Sequence, residues 1–94
     1  MHEFNPGQAV KIPCSVEPGA FPGERLVTIE SEGDRISGFV REEFIQEGYV
    51  LGRILAVESN RILVKIPGSF FTSASGTTSV SPGWATSHLR PAFA

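Results

Sequence analysis

The sequence predicts an all-β fold, a small barrel or sandwich of five or six short antiparallel strands, and three observations carry that expectation. Valine (8), isoleucine (7) and threonine (5) outnumber the helix formers leucine (5) and lysine (2), and β-branched side chains suit a pleated, half-buried surface. Glycine (10) and proline (7) punctuate the chain often, as closely spaced turns require. Apolar residues recur at every second position in short runs, which is the period of a strand with one buried face.

Residues 9–17 alternate first: Val10, Ile12, Cys14 and Val16 against Lys11, Pro13, Ser15 and Glu17. Pro13 cannot donate to a ladder and marks an edge or a bulge. Two Pro-Gly pairs in Pro18-Gly19-Ala20-Phe21-Pro22-Gly23 make consecutive turns. Residues 25–31 form a second strand with Val27 and Ile29 inward, and Glu32-Gly33-Asp34 supplies hairpin chemistry. Residues 35–41 return with Ile36, Gly38 and Val40 on one face and Phe39 on the other. A single helical turn over 42–47 is the only helical candidate. Residues 49–58 and 61–66 make two more strands around Glu58-Ser59-Asn60-Arg61, with Ile62, Val64 and Ile66 sharing a face. Every residue of 72–79 is Thr, Ser, Ala or Gly; such a stretch buries no face, and 68–80 reads as a long loop. Ser81-Pro82-Gly83 then leads into a short closing segment, 84–89.

The length suits one domain over 1–94. A pseudo-repeat divides it into 8–47 and 48–92: Val10-Lys11-Ile12-Pro13-Cys14-Ser15 matches Val64-Lys65-Ile66-Pro67-Gly68-Ser69 at five of six positions, and Gly38-Phe39-Val40 echoes Gly83-Trp84-Ala85. The two offsets differ by nine residues, so chance recurrence of one strand-and-turn requirement competes with duplication.

Pro22-Gly23-Glu24-Arg25-Leu26 opening a strand, followed by Gly38-Phe39-Val40-Arg41-Glu42-Glu43-Phe44-Ile45, resembles the Src-homology-3 pattern of a Gly-Glu turn and a late glycine–aromatic–β-branched segment. The resemblance spans 9–45, with an echo at 83–89, and implies a Src-homology-3-like small barrel. It does not imply that family's proline-rich ligand groove. Arg41, Glu43 and Phe44 stand where the pattern has proline, asparagine and tyrosine, and no adjacent tryptophan pair occurs.

Net charge is −2, but residues 1–47 carry nine acids and four bases, and residues 48–94 one acid and four bases. The imbalance reads as solvated charge on opposite faces of one domain; the competing reading is a polarised molecule that docks by its charge or stacks head to tail. Catalysis is not expected: Cys14 falls on the apolar face of its strand, where a thiol is an inert packing group, and Asp34 belongs to a turn. His2 and His88 lie far apart in sequence and offer no metal-ligand cluster, so neither metal nor cofactor is expected. Aromatic groups near loops are the better lead, since they bury much area at little entropic cost. Phe39, Phe44, Tyr49, Phe70, Phe71 and Trp84, with Arg41 at the rim, are the expected contacts of a non-catalytic adaptor for a protein or peptide partner. The competing role for the same aromatics is core packing. The alternative function is nucleic-acid binding by the basic C-terminal half, through Arg53, Arg61, Lys65 and Arg90 with Trp84 and Tyr49 for stacking. No apolar run is long enough to span a membrane; with no signal peptide and one cysteine, a cytoplasmic location is expected.

Overall fold

The computed structural model describes residues 4–32, 34–70 and 77–92. Among these the chain is mostly antiparallel β-sheet, arranged as two sheets that share one core. The strands are β1 (Ala9–Pro13), β2 (Ser15–Pro18), β3 (Glu24–Ser31), β4 (Asp34–Arg41), β5 (Ile45–Gln46), β6 (Tyr49–Val57), β7 (Ile62–Lys65), β8 (Ser69–Phe70), β9 (Thr77–Val80) and β10 (Arg90–Pro91). The first sheet runs β10-β1-β6-β7-β9, with β5 also pairing β6, and the second runs β2-β3-β4-β8. Among the described residues no ladder joins the sheets into a closed barrel.

The run 9–17 is two strands in different sheets, where the alternation predicts one. Pro13 has no N–H to donate, and the Cys14 N–H turns to the Gly48 carbonyl at 2.9 Å, so the chain passes from the first sheet to the second there. Val10 and Ile12 are buried, while Val16, beyond the corner, is exposed. The predicted pair at 49–58 and 61–66 is β6 and β7, with a bulge between Ile54 and Ala56 that leaves Leu55 unpaired and 48% exposed.

The closing segment at 84–89 lies mostly in helix α1 (Pro82–His88), so 42–47 is not the only helical stretch, contrary to the sequence expectation. The helix start is encoded locally. Ser81 is the N-cap, its hydroxyl accepting from the Trp84 N–H at 3.2 Å, and Pro82 sits in the first turn, where its missing N–H costs nothing. The helix buries Ala85, and the Leu89 side chain that follows is buried too. The turn expected at 42–47 is a 3-10 turn, Glu42–Phe44. Residues 77–80 of the expected loop form the edge strand β9, whose Val80 is buried; 71–76 lie outside the described residues.

Eleven valines and isoleucines, with Ala85 and Leu89, make up the buried core. Val10, Ile12, Val50, Ile54, Ile62, Val64 and Val80 come from the first sheet, and Val27, Ile29 and Val40 from the second. No described aromatic is fully buried; Phe4, Phe44 and Trp84 pack partly against the core from its margin. In the pseudo-repeat, Gly38-Phe39-Val40 is strand and Gly83-Trp84-Ala85 is helix.

Gly52 is required by packing. A Cβ there would lie 2.7 Å from Ile12 Cδ1 and 2.8 Å from the Lys65 carbonyl oxygen. Gly52→Ala therefore destabilises the protein by about 1–3 kcal/mol through overpacking, read as a lower urea midpoint with an unchanged denaturant slope.

Glu32 ties the β3–β4 turn to α1. Its backbone is left-handed at φ 50°, and its carboxylate accepts the Ser81 N–H at 2.6 Å, with Arg61 Nη1 at 3.9 Å. The hydrogen bond from the Ser81 backbone chiefly holds the carboxyl below its ordinary 4.5, with smaller help from Arg61. A depressed folded pKa adds stability above the unfolded value, and that stability is lost as pH falls through the folded one. Glu32→Gln therefore lowers the urea midpoint at pH 7, and the gap from the parent protein narrows as pH drops below about 4.5.

Candidate functional site

Along β6, Val50 and Ile54 point into the core, so Tyr49, Leu51 and Arg53 point out. Register extends this outer face across the first sheet: Lys11 lies opposite Leu51, Ala9 opposite Arg53, Arg53 opposite Lys65, and Arg90 opposite Lys11. Four cations thus share one face, in two pairs of directly opposed like charges. Like charges directly opposite each other across a ladder destabilise a sheet. Lys11 comes from the acidic half of the sequence, so the positive face is a product of strand pairing.

The other basic residues have acidic neighbours. Arg25 bridges Glu42 at 2.9 Å, Arg35 bridges Glu30 at 3.4 Å, and Arg41 bridges Glu43 at 2.7 Å. Arg61 donates to the Ser79 hydroxyl and carbonyl, at 2.8 and 2.9 Å, and faces Glu32. Among the described residues, Lys11, Arg53 and Arg90 form no ion pair. Arg53 donates to the Gly7 carbonyl at 2.5 Å, and Arg90 reaches the Ser87 and Leu89 carbonyls at 3.4 Å; neither bond neutralises a charge.

Around the Arg53–Lys65 pair lies an apolar groove of about 380 Å³, lined chiefly by Phe44, Leu51, Leu55 and Pro67. A second, more polar groove on the same face is lined by Lys11, Tyr49 and Arg90, with Glu47 beside them. Phe44 and Tyr49 are therefore the two sequence-predicted contacts brought together here. Phe39 is half-buried on the outer face of the second sheet, in register with Leu26, and Arg41 is exposed beside Glu43. Trp84 stacks on His88, ring centroids 4.6 Å apart. Phe70 is described by its backbone, which pairs with Gly38, and Phe71 lies outside the described residues. Sequence reasoning missed Lys11, Leu51, Leu55 and Pro67, because only the register places them beside one another.

A third opening, of about 260 Å³, holds Cys14, Ser15, Thr28 and Glu30 against Trp84 and His88. The Trp84 carbonyl can only accept, so His88 Nδ1, at 3.0 Å, carries the proton and donates. Cys14 is half-buried, less shielded than its strand phase predicts, and burial still pushes its thiol up to about 11. Among the described residues no cluster of three His, Cys, Asp or Glu side chains is placed to hold a metal ion, and no helix is long and apolar enough to cross a membrane. Comparison with family models, with curated proteins and with solved structures finds no match.

A rise from 9.0 to about 11 lowers the thiolate fraction about a hundredfold. The greater nucleophilicity of the more basic thiolate returns about tenfold of that. Cys14 in the native protein at pH 8 therefore reacts with iodoacetamide about tenfold more slowly than in 6 M guanidinium, as followed by mass spectrometry.

Proposed function

We infer that the protein is a non-catalytic interaction module that docks a partner protein on the outer face of its first sheet. One observation carries the reading: an apolar groove flanked by Arg53 and Lys65 shares a single face with the directly opposed like charges Arg90 and Lys11, which disfavour the sheet that bears them. An arrangement that costs stability without helping the fold is the mark of a site kept for another task. Phe44 and Tyr49 are its aromatic contacts; Phe39, Arg41 and Trp84 lie on other surfaces and serve, in this reading, outlying parts of the partner. A Src-homology-3-like frame accords with the corner at Cys14, where one chain segment serves both sheets, as strands of small, partly open barrels do. A reducing, cytoplasmic setting suits the single thiol.

Nucleic acid is the second reading, favoured by the same four cations beside Tyr49. Capture from native lysate separates the two. The parent protein retains a protein partner that the double variant Leu51→Ser, Leu55→Ser loses, with both baits verified as folded by circular dichroism. Lys11→Thr weakens that capture and raises the stability of the module by about 0.2–1 kcal/mol, because it relieves the repulsion from Arg90. Recovery of nucleic acid instead, released by salt, establishes the second reading.

A further inference from the structure

Phe21 is the most exposed large apolar side chain among the described residues, 70% open to solvent. It stands in the turn between β2 and β3, and that turn is held from several sides. Pro18 and Pro22 each fix φ near about −65°. Gly19 packs so closely that a Cβ there would collide with the Glu24 carbonyl. The Glu24 N–H donates to the Phe21 carbonyl at 3.2 Å, and the Glu42 N–H to the Gly23 carbonyl at 2.9 Å. An aromatic ring on a turn so restrained gives up little conformational entropy when another molecule covers it. Rings of this kind serve as interface anchors.

The apolar groove of the first sheet is a matching receptacle. Its walls include Phe44, Leu51, Leu55 and Pro67, and its lining contains two bases, Arg53 and Lys65, and no acid. At about 380 Å³ it has room for a phenyl ring. Phe21 is not among the residues lining it and stays exposed, so the ring does not fill the groove of its own chain. Charge agrees with shape. Residues 17–24 carry Glu17 and Glu24 and no base. Glu24 lies opposite Arg41, but Arg41 is turned to Glu43, and neither Glu17 nor Glu24 has an ion pair among the described residues.

Resting on the docking reading above, we propose that the partner is a second copy of this chain, whose Phe21 ring enters the groove while Glu17 and Glu24 come to face Arg53. The surfaces that meet are different, so each copy gives one anchor and takes one. Acids from the first half of one sequence thereby meet bases from the second half of another. A single ring and its rim cover less than a standard interface of about 1,600 Å², so the contact is transient.

Sedimentation velocity of the full chain, from about 10 μM to about 1 mM, reads this self-association. Phe21→Ser is expected to weaken it at least tenfold, as is the double variant Leu51→Ser, Leu55→Ser. Arg53→Glu, which sets like charge against Glu17 and Glu24, is expected to do the same. Val57→Ser, at an exposed residue outside the groove, leaves it unchanged. Circular dichroism verifies that every variant is folded. The deciding arm mixes two variants. Phe21→Ser keeps an intact groove and the double variant keeps an intact ring, so their mixture regains an association that neither shows alone. A monomer throughout the range, no recovery on mixing, association unchanged by Phe21→Ser or Arg53→Glu, or equal loss with Val57→Ser overturns the proposal. If it is overturned while the double variant still loses a lysate protein, the second copy is wrong and the docking face stands. If that variant also loses nothing, the face itself falls.

Discussion

Strand β6 is held from both sides along most of its length: β1 pairs one edge from Tyr49 to Arg53, and β5 and then β7 pair the other. A strand so enclosed cannot shift by one residue without turning Val50 and Ile54 outward. Its inner side is tight enough that Gly52 has no room for a methyl group against Ile12. Every outward position of β6 is thereby determined as well. Tyr49, Leu51 and Arg53 face out because their neighbours must face in, and the bulge at Leu55 pushes one more apolar side chain to the surface. Core and candidate site are two sides of one strand.

The choice of core residues decides what else is available. Valine and isoleucine fill the space between the two sheets, and these stiff, compact side chains suit facing pleated surfaces. With that space full, Phe44 and Trp84 settle at the margin, partly buried and partly presented. Core packing and partner contact, competing roles when the aromatics are read from sequence alone, become compatible for Phe44. One part of the ring seals the core, and another lines a groove.

The strands were legible where alternation was local. Val10 and Ile12, Val27 and Ile29, and Ile62 and Val64 all point inward as their spacing predicts. The corner at Cys14 was not, because the apolar alternation continues through it to Val16, and only the backbone shows the change of sheet. Residues 77–80 read as loop for want of apolar residues, yet an edge strand needs only one inward anchor, Val80, and threonine tolerates the pleat well. Ser81-Pro82 carried a helix signal that the neighbouring glycine disguised as a turn. The positive face was the least legible feature: its four cations come from β1, β6, β7 and β10, and it exists only once those strands are in register.

Cross-strand charge pairing differs between the outer faces of the two sheets. On the outer face of the second, Glu30 stands opposite Arg35 and Thr28 opposite Ser37, with hydroxyls 2.9 Å apart, so cross-strand neighbours satisfy one another. On the outer face of the first, Arg90 stands opposite Lys11 and Arg53 opposite Lys65. Exchanging one acid and one base between the sheets would relieve the repulsion without touching the core. The core therefore does not impose this pairing of like charges; it is a property of the surface alone.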